Sequence, residues 1–492
     1  EKLLLNRLSI WEIYNYLLAT ILNQIKTYYM NMQSLPTLIS LILATSAFGA
    51  VSQSGDWTST NTWSDSTVPG LSSDAPLPIL SFESSGLELT VNADVWANMI
   101  DVGTTQNATI NVLSGNTLTL LGNASSDDPK EIFYGTKDFS EVIFNGEGTV
   151  KISSATERNL GNGIWTFNAA VSQGKATLFL ANEGVLNING GWTSTGQLSA
   201  SHSTINVNSN FSTSSAFNIW GASSTLNIAE GVSVNCGGFG MVSGTVKGNI
   251  VANSYNGSDQ YSISFGRKDG ARATILFENA TIESKSTTML SLIRNANMTI
   301  NAGEGAIKTA NQMYWFNTTI TLNSSNVFYI NGQTQQSESI INIATCDKGT
   351  ISSSTADLIL GADNDFGGFK FQEGSTLNIT SNGHNVNIGG FFVDSEGTSF
   401  NINIYNLTDF TLKIGSLDNI ATEVDGDGFL RTTEGFMVSS DEFFLDYAYL
   451  VKADDGGYWV NVTSAVPEPA ECAMILGALA CALAFAKRRI GK

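Results

Sequence analysis

The sequence predicts an all-β protein built as a parallel β-helix (β-solenoid), with an N-terminal signal segment and a C-terminal transmembrane sorting tail. The first observation is a four-residue motif with apolar second and fourth positions, found at Thr109–Val112, Val185–Ile188, Thr204–Val207, Thr225–Ile228, Thr319–Leu322, Ile340–Ile343, Thr376–Ile379 and Asn401–Ile404. The close copies lie 19, 21, 21 and 25 residues apart, and the interval of 36 is twice 18. The second observation is that no helical apolar stripe occurs between residues 55 and 460. A period near 20 with strand-like alternation indicates one coil per repeat.

Each copy of the motif has an inward and an outward side, because alternate residues of a strand point to opposite faces. Leu226 and Ile228 are expected to point inward, and Thr225 and Asn227 outward; the same holds for Thr376–Ile379. Outward Asn and Thr are expected to hydrogen-bond from coil to coil. Looser copies fill the longer gaps at Val142–Asn145, Thr177–Leu180 and Thr274–Phe277. The competing interpretation, short antiparallel meanders in a sandwich, is disfavoured because two-residue hairpin signals are few.

Glycine and asparagine cluster where the chain is expected to turn between strands. These clusters lie at Asn189–Gly191, Cys236–Gly238 and Ile388–Gly390. Corners need either positive φ or a close approach of two backbones, and glycine permits both. The clusters therefore predict coil corners.

Residues 51–95 are expected to form an N-terminal cap and the first strands, 96–428 the β-solenoid repeats, and 429–465 a C-terminal cap and linker. Caps are expected because a solenoid otherwise ends in unpaired strands and exposed core. The C-terminal segment is rich in aromatic residues and ends in a predicted strand at Tyr458–Val462. The N-terminal segment resembles the start of secreted passenger proteins with autotransporter-like β-repeats, through Trp57, Trp63, Pro69, Asp74 and Phe82.

The first 50 residues are expected to be a targeting segment outside the mature fold. Leu35–Ala47 is mostly apolar, and Ala47 and Gly49 provide the small residues of a cleavage site near Gly49 or Ala50. Residues 1–29 begin with Glu1 and precede Met30, so they are interpreted as an over-extended reading frame; a genuine long signal n-region is the alternative.

The last 27 residues combine a short Pro-Glu-Pro motif, an apolar run and a basic end. The motif is Val466, Pro467, Glu468 and Pro469, and the basic stop is Lys487, Arg488 and Arg489. The uncharged run Cys472–Ala486 would extend about 22 Å as a helix, which spans a hydrocarbon core of about 30 Å only marginally. A basic flank normally remains in the cytoplasm, so the rest of the chain is expected outside. An ordinary membrane anchor or a buried helix is the alternative.

This tail resembles the PEP-CTERM sorting signal of exported Gram-negative bacterial proteins. In that family a membrane exosortase recognises and cleaves the tail. The resemblance implies an exosortase-type processing enzyme as a partner, membrane contact through the tail, and a destination at the cell surface, outer membrane or extracellular matrix.

The charge of the central domain disfavours nucleic acid as a partner. Residues 51–466 contain 17 Lys and Arg against 40 Asp and Glu, and the whole chain has a net charge of −20. Such an excess of carboxylates repels phosphate backbones. Divalent cations or solubility explain the acidity better, and an extracellular polysaccharide is the expected partner.

Acidic pairs are the first place to look for an enzyme. Asp363 and Asp365, with His384 about one coil later, invite comparison with the polygalacturonase family. The comparison fails because that family's Gly-His-Gly is Gly-His-Asn in this chain, and its Arg-x-Lys and second Asp pair are missing. The preferred interpretation is a solvated acidic turn, with a surface cation or glycan site as the functional alternative.

Asp425 and Asp427 resemble half of a calcium loop, but no Glu follows at the twelfth position. Weak Ca²⁺ binding is the most that this pattern predicts, and no other cofactor is expected. Only Cys236 and Cys346 lie in the domain. They are separated by about five coils, or roughly 24 Å at 4.8 Å per coil, so free thiols are predicted.

Taken together, these patterns predict a non-enzymatic exported β-solenoid with a structural, adhesive or glycan-contacting role. The alternative is a secreted polysaccharide lyase or glycoside hydrolase on a β-helix scaffold. That alternative requires a cluster of carboxylates and a base on neighbouring coils.

Overall fold

A computed structural model describes residues 48–463, apart from 74–76, 103–106, 123–130, 136–139, 154–157, 161–162, 181–182, 254–260, 269–270, 331–339, 344–353, 394–397, 399, 406–411, 419–421, 425–429, 433–446, 453 and 455. Residues 1–47 and the predicted sorting tail 466–492 lie outside the described residues. Among the described residues, no helix is both long enough and apolar enough to cross a membrane. Phe48–Val51, which includes the predicted signal-cleavage point, forms a strand paired with Ile79–Phe82.

The chain is all-β with parallel sheets, consistent with the predicted β-solenoid. Within the coils, strands pair in parallel with the strands of the neighbouring coils: Val185–Ile188 pairs with Ile164–Phe167 and with Thr204–Val207. Three strands form one coil, and successive coils build three faces. The only helix among the described residues is a 3₁₀ turn at Thr60–Thr62.

The strands of the coils form three faces, and four long strands each contribute to two of them. Face 1 contains Phe48–Val51, Ile79–Phe82, Met99–Val102, Glu131–Gly135, Arg158–Leu160, Leu178–Leu180, Leu198–Ser201, Ala216–Trp220, Gly238–Met241, Tyr261–Phe265, Ile340–Ile343, Gly368–Phe371, Phe391–Val393 and Leu417–Asp418. Face 2 contains Gly55–Asp56, Leu87–Val91, Asn107–Val112, Glu141–Asn145, Ile164–Phe167, Val185–Ile188, Thr204–Val207, Thr225–Ile228, Ser354–Leu360, Ser375–Thr380 and Phe400–Tyr405. Face 3 contains Val95–Ala97, Thr117–Leu120, Thr149–Ile152, Ala170–Gln173, Trp192–Ser194, Phe211–Thr213, Ser233–Cys236, Ile307–Thr309 and Phe328–Ile330. In the last coils the third strands, Asn364–Phe366, Val386–Ile388 and Leu412–Ile414, belong to a separate sheet that also includes the antiparallel C-terminal strands. Long strands that turn a corner between two faces are Gly244–Ala252, Ala273–Ser284, Leu290–Asn301 and Met313–Leu322.

The predicted alternation of inward and outward residues is confirmed. Leu226 and Ile228 are buried, whereas Thr225 and Asn227, which alternate with them along the strand, are partly exposed. The strand Ser375–Thr380 has the same pattern. Stacking the coils therefore buries one continuous apolar interior. This burial stabilises the folded chain by about 25 cal/mol per Å² of apolar surface taken out of water.

Aromatic rings form a column inside the coils. Successive ring centroids lie between 4.5 and 6.2 Å apart along Phe144, Phe167, Trp192, Phe211, Phe217, Phe239, Phe265 and Phe277. Offset-stacked and edge-to-face pairs at these distances add to the stability that burial provides. The column links coils that lie far apart in sequence.

Outward asparagines form hydrogen-bonded ladders along face 2, as predicted. In one ladder, the Nδ2 of Asn206 donates to Asn187 Oδ1 at 2.8 Å, and the Nδ2 of Asn227 donates to Asn206 Oδ1 at 2.8 Å. A parallel ladder joins Asn145, Asn168, Asn189 and Asn208 with distances of 2.6 to 2.8 Å. Side-chain amides on successive coils therefore satisfy one another's polar groups, and the first ladder continues from Asn187 to the hydroxyl of Thr166 at 3.0 Å.

The corner clusters are confirmed, and close backbone approach explains the central glycine of all three. A Cβ on Gly237 would lie 2.4 Å from the carbonyl oxygen of Ser214. A Cβ on Gly190 would lie 2.2 Å from the carbonyl oxygen of Ala169, and one on Gly389 would lie 2.1 Å from that of Gly367. Positive φ occurs instead at asparagines inside the long corner-turning strands, such as Asn295 (44°) and Asn317 (48°).

Two copies of the motif do not lie with the others on face 2. Ile340–Ile343 pairs with Met313–Trp315 and with Gly368–Phe371 on face 1, and Leu178–Leu180 also lies on face 1. The interval of 36 runs from Ile340 on face 1 to Thr376 on face 2, so it does not consist of two 18-residue coils. The error arose because apolar alternation is the same on all three faces, so four residues do not identify a face.

The first coil contains two buried tryptophans. Trp57 and Trp63 are packed edge to face with centroids 5.1 Å apart. Their indole nitrogens donate to the carbonyl oxygens of Pro69 at 2.7 Å and of Trp57 at 2.8 Å. Both indoles therefore have hydrogen-bond partners in the apolar interior.

At the other end, parallel stacking gives way to antiparallel pairing. The strand Tyr458–Thr463, close to its predicted bounds, pairs antiparallel with Leu412–Ile414 and with Tyr447–Lys452. Thr422–Val424 and Leu430–Thr432 pair antiparallel with each other. Because Tyr458–Thr463 runs antiparallel to the strand before it, no further parallel coil can stack on this edge.

Candidate functional site

Asp363 and His384 lie close together, as their spacing of about one coil predicted. The Asp363 carboxylate accepts hydrogen bonds from the backbone N–H of Asn385 at 2.8 Å and from its side-chain amide at 3.2 Å. His384 Nδ1 lies 3.6 Å from Asp363 Oδ1. The backbone N–H of Asn385, followed by its side-chain amide, lowers the pKa of Asp363. A carboxyl held ionised in this way is suited to accepting hydrogen bonds and poorly suited to acting as a general acid.

Asp365 belongs to a neighbouring ladder. Its Oδ1 accepts a hydrogen bond from the Nδ2 of Asn387 at 2.6 Å, one coil away. Its backbone N–H donates to Asn326 Oδ1 at 3.2 Å, which links it to the preceding coil. Asp363 and Asp365 therefore occupy ladder positions that asparagine fills on face 2.

The other predicted site residues fall outside the described part of the chain. These are Asp425 and Asp427, the sorting motif Val466, Pro467, Glu468 and Pro469, and the basic stop Lys487, Arg488 and Arg489. Among the described residues, no group of three or more His, Cys, Asp or Glu side chains is arranged to hold a metal ion. Cys236 is buried and free, and burial raises the pKa of its thiol; Cys346 is outside the described residues.

A cleft that the sequence did not reveal lies on the outer surface of face 1, where that face meets face 2. It has a volume of about 740 Å³. Its floor is a file of paired residues on successive coils, Asn218, Gly240 and Ser264. Small residues in that file leave the surface concave: a Cβ on Gly240 would lie 2.4 Å from Asn218 Oδ1.

One wall of the cleft is aromatic. Trp220 is the last residue of its strand, and 44% of its surface is exposed. In the described part of the chain, three large apolar side chains are exposed, and Trp220 is the aromatic one among them. His202 lies beside it with φ of 52°, and its ring covers Gly221, where a Cβ would lie 2.8 Å from the imidazole. His202 Nδ1 is 3.0 Å from Ser201 Oγ. The wall thus presents two rings on neighbouring coils.

The opposite wall is basic. Arg267 and Lys268 are exposed, whereas Arg294 is only 6% exposed. The chain reaches Arg267 through Gly266, whose φ of 87° and close approach to the Arg294 carbonyl leave no room for a side chain. No Asp or Glu is among the described residues that line the cleft.

Arg272 also lines the cleft, but its guanidinium is turned towards face 2. It donates to Asn317 Oδ1 at 2.9 Å and to Thr319 Oγ1 at 2.6 Å, and its Nη1 lies 3.6 Å from Asp357 Oδ2. Asp357 therefore compensates the charge of Arg272. Arg267, Lys268 and Arg294 are the other basic residues that line the cleft.

A cleft lined by four basic residues is unexpected in a chain with a net charge of −20. One sequence signal points to it: Arg267, Lys268 and Arg272 fall within six residues of a domain that contains only 17 Lys and Arg. The partners Trp220, His202 and Arg294 are 22 to 70 residues away in sequence. Only the correct register of five coils brings them together.

Comparisons of this chain with models of protein families, with curated protein sequences and with solved structures find no match. Any functional interpretation therefore depends on the geometry and chemistry of the residues described above.

Proposed function

We propose that this chain is an exported, non-enzymatic β-solenoid protein with a structural or adhesive, glycan-contacting role at the surface or in the extracellular matrix of a Gram-negative bacterium. The observation that carries the proposal is the stack of parallel coils with a continuous apolar interior and an outer surface of laddered Asn and Thr. Such a stack is an elongated, stiff support with a polar surface.

The PEP-CTERM-like tail would direct this support to its destination. Its Pro-Glu-Pro motif would be recognised by an exosortase-type enzyme, and its apolar run and basic stop would hold the chain in the membrane until cleavage. The wealth of Asn, Ser and Thr on the coils suits contact with hydroxyl-rich polysaccharide, because these side chains both donate and accept hydrogen bonds.

Deletion of Pro467–Lys492 tests the sorting part of the proposal. We expect the truncated protein in the culture medium and the full chain with the cells or matrix, measured by fractionation and immunoblotting. In a matched variant, Pro467→Ala/Pro469→Ala, the apolar run and basic stop remain, so the protein should stay in the membrane at its uncleaved mass. Unchanged cell association after the deletion would show that the tail does not sort the protein.

Release of products from polysaccharides tests the non-enzymatic part. The lowered pKa of Asp363 and its bonds to Asn385 support a ladder role for this pair, so no cleavage of acidic or neutral polysaccharides is expected. Reproducible turnover that disappears in the Asp365→Ala variant would establish the polysaccharide-cleaving alternative.

A further inference from the structure

We propose that the cleft beside Trp220 binds a neutral oligosaccharide of hexopyranose units, with one sugar ring stacked on the indole and its hydroxyls hydrogen-bonded to Asn218 and Ser264. The inference rests on the proposed glycan-contacting role and names its ligand class and its place on the molecule. No sequence pattern predicted a site at these residues.

The floor of the cleft carries hydrogen-bonding groups that the protein itself does not use. The asparagines of face 2 are joined in ladders, whereas Asn218 on face 1 is paired in register with Ser199 on one side and Gly240 on the other. Neither neighbour offers a second amide. Within the described part of the chain, the side chains of Asn218 and Ser264 have no hydrogen-bond partner, and both are partly exposed to the cleft. An amide and a hydroxyl in that state are available to sugar hydroxyls, which both donate and accept.

Trp220 provides the apolar surface against which a sugar ring can stack. It is 44% exposed, whereas other tryptophans of the described chain are buried in the coils: Trp57, Trp63, Trp165, Trp192 and Trp315. A pyranose ring has C–H groups on its flat side and hydroxyls around its edge. Stacking that side on the indole takes apolar surface out of water and leaves the hydroxyls pointing towards the polar floor.

Gly240 makes the floor concave enough to hold a ligand. It occupies the outward position of face 1 at which the neighbouring coils have Asn218 and Ser264. The resulting volume of about 740 Å³ falls within the range of small-ligand sites. The cleft crosses five coils from Ser201 to Arg294, or roughly 19 Å at 4.8 Å per coil, which accommodates several linked rings.

The basic residues of the cleft are engaged within the protein. Arg272 lies beside Asp357, and Arg267, Lys268 and Arg294 each take part in an interaction of their own. Selection of the ligand therefore falls to the indole and to the uncharged amide and hydroxyl groups. Such a set of groups matches a sugar that has hydroxyls and no charge.

Calorimetric titration of the purified full-length chain tests this inference. The probes are cellotetraose and β-1,4-galactotetraose, measured separately, and tetragalacturonate is the charged comparison. We expect at least one neutral tetrasaccharide to bind with an affinity that added salt does not change, because no ion pair forms with it. Tetragalacturonate should bind about tenfold more weakly or not at all, since the domain around the cleft is acidic.

Outward residues of the cleft and of face 3 provide matched variants. Trp220→Ala and Gly240→Val, which fills the floor, should each weaken binding about tenfold, and Asn218→Ala about threefold. Trp220→Phe keeps an aromatic ring and should bind within about threefold of the parent chain. Ser212→Val and Asn235→Ala make comparable changes at exposed positions outside the cleft and should leave the affinity unchanged. Thermal unfolding of every variant should match the parent chain.

Three results would overturn the inference: no binding of either neutral tetrasaccharide, unchanged affinity in both Trp220→Ala and Gly240→Val, or tighter binding of tetragalacturonate that the same two variants abolish. Failure of the proposed function is distinguishable. If the deletion of Pro467–Lys492 still releases the protein but neither neutral tetrasaccharide binds, only the inference is lost; if binding holds and sorting fails, only the export proposal is lost.

Discussion

Single asparagine and aspartate residues satisfy each other's hydrogen-bonding groups along the outer surface of the coils. Asn385 donates to Asp363 with both its backbone N–H and its side chain, and this stabilises the ionised carboxylate. The pKa of Asp363 is lowered as a result. An asparagine in the same position has a single acceptor oxygen, so it could accept only one of these two bonds.

The pH dependence of stability should report the ionised state of Asp363. Because its pKa is lower in the folded than in the unfolded chain, its stabilising contribution is present above the unfolded value of about 3.9 and is lost as pH falls through the folded value. Denaturant unfolding should therefore show Asp363→Asn as less stable than the parent at pH 7, with the difference shrinking as pH falls below about 4. In an Asn385→Ala background the difference should be smaller, because only the backbone donor remains. A difference that is the same at pH 7 and pH 3 would contradict this account of Asp363.

Cys236 should remain a free thiol even in an oxidising exterior. It is buried, and its partners along face 3 are Ala252 and then Ser284, which are not cysteines. Iodoacetamide should leave Cys236 unmodified in the folded chain and modify it in denaturant without reductant, as detected by peptide mass spectrometry. Modification of Cys236 only after reduction of a monomeric chain would show an intramolecular disulfide and would contradict the stacking order.

Strands are joined laterally by the ladders as well as by backbone pairing. Asn206 occupies the middle of its ladder, with Asn187 on one side and Asn227 on the other. Asn208, two residues later, makes one ladder bond, to Asn189. The same residue type therefore has two ladder partners within the strand Thr204–Val207 and one just after it.

Alanine substitution should separate these two positions. A hydrogen bond contributes roughly 0.5–1.5 kcal/mol, so Asn206→Ala should lower the free energy of unfolding by about 1–3 kcal/mol, and Asn208→Ala by about half as much. Urea unfolding followed by circular dichroism measures both. Equal effects for the two variants, or no effect of Asn206→Ala, would mean that the ladders do not hold the coils together.

The sequence contains enough information to predict the coils but not to assign every strand to a face. Alternation at Thr204–Val207 and Thr225–Ile228 predicts both their pairing and their buried side, since neighbouring copies differ by one coil. Ile340–Ile343 matches the motif although it lies on face 1, because inward positions are apolar on every face, and the 38-residue interval on face 2 from Thr319 to Asp357 spans it. Local pattern does not fix register across an insertion.

The candidate sites show the same limit at the scale of the whole molecule. Asp363 and His384 could be related from sequence because they lie one coil apart in a regular stretch. The cleft could not, because Trp220, Arg267 and Arg294 come from three separate coils, and Gly240 contributes through the absence of a side chain. A concave surface depends on the order of coils, which individual motifs do not contain.

Engineered disulfides test the parallel, in-register stacking on which the whole account depends. Asn206 and Asn227 are paired residues on adjacent coils of face 2, so Asn206→Cys/Asn227→Cys places two outward cysteines about 4.8 Å apart, within the range of a disulfide. The matched control Asn187→Cys/Asn227→Cys places them two coils apart, at roughly 10 Å, beyond that range. After mild oxidation of the monomer, peptide mass spectrometry should find the 206–227 disulfide in high yield and no 187–227 disulfide. Absence of the first link, or a 187–227 link of equal yield, would contradict the parallel β-solenoid.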